Sequence, residues 1–275
     1  MTLLIKGSNI AAIELDQGVK QQLLLNRHET GGSRLEIKKI ILSQNTQMTV
    51  PIEKGCLSWF HPLSPDIHIN SQLFDVQSLG IFTDGTSPVF SNVGNKNAEI
   101  LYCTIPVVSR FLSENEEIPF ISHIVDWSVE PVLLSEFDSR KRIYLASPGL
   151  WKGVSCVKGE MIIYPKGGTA PFHHHEDAEH FQYIMDGFGT VFFDNQEHIV
   201  EKGDILYFFE NEVHAFENKN SEHFVFAEFF VPGSYKTIWA KNTNICTWIP
   251  TGNDVNGRKA SRHLEKHVAG EGNDI

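Results

Sequence analysis

Short runs of β-branched, aromatic and other apolar residues, separated by polar turns, make up most of this chain. The runs at 35–42, 100–108, 159–165, 182–185, 189–193, 205–209 and 224–231 are rich in Val, Ile, Leu, Phe and Tyr, and Gly, Pro, Asn and Asp punctuate them. Such a pattern predicts many short strands joined by turns. Stretches with a helical period are scarce. The best helix candidate is 260–268, near a polar, Gly-containing tail that is expected to fray. The predicted class is all-β.

The segment 88–106 can be laid on 214–232 without a gap, which matches Phe90 with Phe216, Asn92 with Asn218 and Pro106 with Pro232. Three identities in nineteen positions are weak alone. Both copies, however, place a turn before an apolar strand that ends at proline, so two related β-domains are expected. The expected division is a first domain at 1–120, a connection at 121–149, a second domain at 150–250, and a polar tail at 251–275 holding at most a short helix.

Composition narrows the function. The chain has 275 residues, long enough for a large core, and its formal net charge of −11 repels phosphate backbones and anionic lipids. Nucleic acid and membranes are therefore not expected as partners. No apolar run approaches the ~20 residues of a membrane span, and residues 1–16 show no cleavage pattern, so a cytoplasmic location is expected. Cys56, Cys103, Cys156 and Cys246 form no C-x-x-C pair. Reduced, buried thiols are the expectation.

The chemistry concentrates in 167–218. On a strand, His173 and His175 share one face while His174 points away. Glu179 lies four residues beyond His175, ~13 Å along a straight strand, whereas ligands of one ion sit ~2 Å from it, so the chain must turn. The polar break 176–178 supplies that turn, and the apolar run after it would carry Glu179 back to the histidines. The run at 205–209, a polar turn at 210–212 and a second strand bring up His214. Three neutral imidazoles and one carboxylate around a divalent ion leave one or two positions for water, dioxygen or a chelating substrate.

These residues resemble the two motifs of the cupin superfamily. The first motif is matched by Gly167, five residues, His173-x-His175, three residues, Glu179, and then Gly187, one residue later than the commonest spacing. The second is matched by Gly203, Phe209 where Pro is usual, Asn211 where Gly is usual, His214 and Asn218. The resemblance implies two tandem cupin barrels, each a double-stranded β-helix or jelly roll. It also implies one divalent metal ion per chain at His173, His175, Glu179 and His214. Fe(II) or Mn(II) are the first choices, with Zn, Ni and Co also suited. The bland alternative makes 173–175 a solvated polar turn and Glu179 an exposed strand-end charge; the joint occurrence of both spacings argues against it.

Aligning Glu36 and Ile37 with Glu160 and Met161 places Thr49 and Pro51 opposite His173 and His175, and Pro88 falls opposite His214. The first half therefore resembles a degenerate cupin kept for packing, substrate access or dimerisation, with His61 and His68 as ordinary core or surface residues. In the second half, strand parity beside Glu179 turns Phe181 and Tyr183 inward, and Phe216 shares a face with His214. Phe208 or Phe226 completes the wall, depending on register. Tyr183 is the candidate proton donor to bound substrate. Lys166 is a candidate partner for a substrate carboxylate, against the simpler reading of a solvated lysine. The same parity puts His174 and His180 outside the site.

An open-sided divalent site in an aromatic barrel is read as a dioxygenase-type oxidoreductase acting on a small organic acid or enol-like metabolite. The alternatives are a non-oxidative cupin enzyme (decarboxylase, isomerase, lyase or hydrolase) and a ligand-binding cupin without catalysis. Analogy with cupins adds a homodimer as the expected assembly.

Overall fold

The computed structural model describes residues 1–28, 32, 34–112, 119–147, 149–150 and 155–270. Strands and three short 3-10 turns make up its regular structure, with no α-helix among the described residues. The chain divides into two compact units, Ser8–Trp127 and Ser128–Ile275, and Met1–Gly7 belongs to the second of them.

The second unit is a two-layered barrel. One layer runs Leu3–Ile5, Ile205–Phe208, Glu179–Phe193, His223–Val231, Lys158–Pro165, Lys141–Ala146, Leu133–Ser135, Thr247–Pro250 and His267–Val268. The other is built from Lys236–Trp239, Thr169–Glu176, His214–Glu217 and Gln196–Glu201. The 15-residue strand Glu179–Phe193 serves both: its first half pairs with Ile205–Phe208 and His223–Val231, its second half with His214–Glu217 and Gln196–Glu201. A bulge between Ile184 and Asp186 marks the transfer, and Gly187 follows at φ +72°. A Cβ there would lie 1.9 Å from the His223 carbonyl oxygen, so the bend admits only glycine. Between the layers Phe216, Phe224, Phe226, Phe208, Ile184 and Trp248 form the core.

The first unit repeats this plan. One layer is Ser122–Asp126, Ser78–Thr83, Leu57–Pro62, Ala98–Ile105, Glu36–Leu42, Val19–Leu25 and Ile13–Asp16; the other is Gln47–Thr49, Val89–Asn92, Ile67–Ile69 and Gln72–Leu73. The repeat seen in the sequence has a structural reason. Asn218 Nδ2 donates to the carbonyls of Tyr164 and Ser221, and Asn92 Nδ2 to those of Leu42 and Lys96, so each buried amide ties a turn to the neighbouring layer. Pairing corrects the alignment of the first strands. A register shift between Ala170 and His173 sets His173 opposite His214, and in the first unit the Val50 amide bonds the Pro88 carbonyl, so Val50 and Ile52, rather than Thr49 and Pro51, take the places of His173 and His175. Neither pair supplies the two ligands, and among the described residues no cluster of three or more metal-ligating side chains converges in this unit.

Three other expectations give way to tertiary pairing. The connection expected at 121–149 contains Ser122–Asp126, a strand of the first unit, and Leu133–Ser135 and Lys141–Ala146, strands of the second. The helix expected at 260–268 is absent. There the Ser261 amide bonds the Val129 carbonyl, Ser261 and Arg262 side chains hold Glu130, and Leu264 packs into the core, so the segment's partners lie far away in sequence and not four residues back. For the same reason the tail is tied in, ending on His267–Val268 against Thr247–Pro250.

His61 is fully buried in the first unit, its Nε2 3.3 Å from the Val76 carbonyl and its ring edge-on to Trp127, while His68 sits half-buried opposite Ser91. Burial holds the His61 imidazole down to about 4. The unfolded chain takes up this proton near pH 6.5, whereas the folded unit refuses it until about pH 4, so stability is lost as pH falls through that window. Thermal or urea unfolding at pH 7 and pH 4.5 should therefore show His61→Phe losing about 2–3 kcal/mol less than wild type over that interval. An equal pH loss in both proteins would contradict this.

Candidate metal centre

The strand Thr169–Glu176 places His173 and His175 on its inner face, as alternation predicted. The chain then reverses at Asp177, which adopts φ +72°. His214 opens its strand directly opposite His173, after a turn in which Asn211 takes φ +68°, the conformation that suits the glycine usual at that motif position. Ligand atoms of His173, His175 and His214 lie within 4.8 Å of one another.

Glu179 is not part of that group. Its carboxylate accepts a hydrogen bond from the Tyr207 hydroxyl. The strand that resumes at Glu179 turns Ala178, His180 and Gln182 inward. Ala178 packs with Phe230 and Tyr235, and the His180 ring lies between Phe208 and Phe230, with centroids 5.0 Å from each. The position expected for the carboxylate ligand is thus occupied by His180, the residue that parity beside Glu179 places outside the site. His175, His180 and Glu228 form a second group with ligand atoms within 4.8 Å. The sequence carries one signal for His180: Gly187 is one residue too far from Glu179, and one residue later is His180.

The same change of parity moves two pocket candidates. Phe181 stacks on Phe229, centroids 5.4 Å apart, on the face away from the histidines, and Tyr183 shares that parity, opposite Ala227. The cavity beside His173 and His175 is lined by Phe216 and Phe226, whereas Lys166 is exposed in its turn. Phe208 contacts the His214 ring at 4.2 Å. Arg140, just before the strand Lys141–Ala146, Arg142 on that strand, and Glu228 also line the cavity, from outside both sequence motifs. Its volume is ≈ 40 Å³, room for a few water-sized groups.

The donor set suits a divalent ion. His173 Nδ1–H donates to the Pro171 carbonyl at 2.7 Å and His214 Nδ1–H to the Glu212 carbonyl at 2.9 Å, which leaves each Nε2 with a lone pair. His175 Nδ1 is 3.1 Å from the Thr237 hydroxyl. His214 Nε2 and both nitrogens of His180 are buried with no hydrogen-bond partner among the described residues. Orphaned buried nitrogens are costly in a folded core, and a cation removes that cost. Burial holds His173 down to about 4 and, together with the neighbouring imidazoles, keeps His175, His180 and His214 well below the ordinary value. All four are neutral at pH 7, the state a metal requires.

Beneath the histidines lies a layer of buried charge. Arg142 pairs with Glu160, which also accepts from the Tyr235 hydroxyl at 3.1 Å, and Gln182 donates to Glu228. Burial, with Glu160 beside it, pushes the Glu228 carboxyl up to about 8.

A family model described as a cupin domain matches residues 160–231. An uncharacterized protein of Methanocaldococcus jannaschii is 35% identical over 74 residues, which are 27% of this chain and 58% of that protein. The chain thus spans a little over half the length of this curated relative. Among solved structures, Bacillus subtilis oxalate decarboxylase, a protein with Mn(II) centres, aligns at a TM-score of 0.65 and 15% identity over 86% of this chain and 78% of that one. The E. coli protein Ylba aligns at 0.65 and 14% identity, over 84% and 90%. AerE of Microcystis aeruginosa aligns at 0.62 and 13% identity, over 81% and 96%. The cupin-domain match thus falls in the second unit and contains both histidine motifs, and the chain shares its fold with these solved structures. No helix among the described residues is long and apolar enough to cross a membrane.

Proposed function

We propose that the second barrel is the active domain of a metal-dependent oxidoreductase of the dioxygenase type, acting on a small organic acid or enol-like metabolite. His173, His175, His180 and His214 hold one divalent ion, with Fe(II) or Mn(II) as the leading choices. What carries this reading is the convergence of the His173, His175 and His214 ligand atoms within 4.8 Å, with His180 grouped beside His175 and its nitrogens, like His214 Nε2, buried without hydrogen-bond partners among the described residues. When bound, the ion supplies Lewis-acid polarisation of chelated oxygens and a site for dioxygen.

The chain's own residues set the rest. Pro171 and Glu212 carbonyls and the Thr237 hydroxyl orient three of the rings. Because all four proposed ligands are neutral, they leave the ion's positive charge uncompensated, which favours an anionic or enolisable chelator over a neutral one. Phe208, Phe216, Phe226 and Phe230 exclude water around the site. The ≈ 40 Å³ cavity restricts the substrate to a small molecule.

The test is elemental analysis of protein purified without a polyhistidine tag, paired with oxygen uptake against a panel of small keto acids and diols. About one metal per chain, with substrate-dependent oxygen consumption, is the expected result. Turnover that persists under strict anaerobiosis would exclude dioxygen as co-substrate and assign the site to decarboxylase or isomerase chemistry.

A further inference from the structure

Arg140 stands in the wall between two cavities. On one side is the space beside His173 and His175; on the other is an outward-facing pocket of ≈ 300 Å³ whose rim includes Phe137, Asp138, Thr169 and Asn244. Arg140 and Cys246 line both cavities. Arg140 is itself only 4% exposed, held flat between Tyr164 and Trp248, whose ring centroids lie 5.2 and 5.5 Å from its Cζ.

The guanidinium is unevenly satisfied. Its Nε donates to both carboxylate oxygens of Asp138 at 2.9 Å. Its two terminal nitrogens meet neutral groups, Nη1 the Tyr164 hydroxyl at 3.3 Å and Nη2 the Cys246 thiol at 3.4 Å. A guanidinium edge of two parallel N–H donors matches a carboxylate, which neither a phenol nor a thiol replaces. Arg142 is arranged alike, with its Nε on Glu160 and its Nη1 3.4 Å from the Tyr144 hydroxyl, but it lines the inner cavity and not the outer pocket. Of the two arginines in the cavity wall, Arg140 is the one that a ligand entering through the outer pocket meets.

We propose that Arg140 is the residue that selects an anionic substrate, taking the carboxylate of a small organic acid on its Nη1/Nη2 edge at the boundary between the outer pocket and the metal cavity. Asp138 is the internal carboxylate that balances Arg140 while the site is empty of substrate. This deepens the proposed function, on which it rests for the identity of the inner cavity.

Malonate is the probe, with uncharged malonamide as control. Binding is read in two ways: by tryptophan fluorescence of the metal-free chain, which reports on Trp248, and by the visible spectrum of the Co(II)-loaded chain. We expect malonate and not malonamide to bind, Arg140→Met to raise the malonate Kd at least tenfold, and Arg140→Lys to recover part of the loss. Asp138→Asn should tighten malonate several-fold, because the competing carboxylate is gone. A tightening cannot arise from misfolding, so this variant decides the matter if Arg140→Met does not fold. Wild-type malonate affinity in a folded Arg140→Met protein, or weaker binding in Asp138→Asn, overturns the proposal. Failure of the wild-type chain to bind Co(II) sinks the metal reading instead, and the fluorescence arm still judges Arg140.

Discussion

His180→Gln lowers the divalent-metal affinity of the untagged protein by about 100-fold or more, while Glu179→Gln leaves it within a few-fold of wild type. The magnitude follows from ligand loss: even residues that only orient a ligand are worth about 10–100-fold in affinity. Between Phe208 and Phe230 the glutamine finds the same apolar slot, so the barrel persists and the loss reads on the metal and not on folding. Glu179 contributes elsewhere. Its carboxylate is tied to Tyr207, so Glu179→Gln weakens a buried charged hydrogen bond and costs about 1–3 kcal/mol of stability. Competition titration against a chromogenic chelator measures the affinities, and thermal unfolding of the metal-free proteins measures the stability. If Glu179→Gln empties the protein and His180→Gln does not, the ligand set derived from the strand's parity is wrong.

Gly187→Ala is expected to be the most damaging single methyl group in the second barrel. It combines a positive φ of +72° with a Cβ position 1.9 Å from the His223 carbonyl oxygen, and that oxygen belongs to a paired strand that cannot simply retreat. The strain and the clash together should cost about 3 kcal/mol or more, a fall of roughly 6–12 °C in Tm for a unit of this size. Gly203→Ala supplies the comparison. There φ is +92° but nothing lies within 4 Å of the added Cβ, so only the conformational penalty of about 1–2 kcal/mol applies. Equal losses from the two substitutions, measured by calorimetry, would show that the bend at Gly187 is not held by its close approach to His223. Because Gly187 lies on the strand that carries His180, its alanine variant should also bind metal less tightly, whereas Gly203→Ala should not.

Local sequence carried a good deal of this protein. Short β-branched and aromatic runs with Gly, Asn and Asp at the turns specify strands, and two histidines spaced by one residue must share a face wherever the strand lies. The turn before Glu179, the loop that delivers His214 and the paired asparagines Asn92 and Asn218 are local features of the same kind, legible without any knowledge of the fold.

Tertiary pairing decided the rest. Alternation cannot be carried through a turn, because one residue in the left-handed conformation resets which face comes next. Only the pairing of the Glu179–Phe193 strand with Ile205–Phe208 and His223–Val231 determines that His180 faces the cavity and that Glu179, Phe181 and Tyr183 do not. Arg140, Arg142 and Glu228 lie outside both motifs, and closure of the sheet brings them beneath the histidines. Leu3–Ile5 and 260–268 owe their places to distant strand edges and to Glu130, partners that no local window contains. The periodicity of a strand is a property of its own residues; its register and the side that becomes interior are properties of its neighbours.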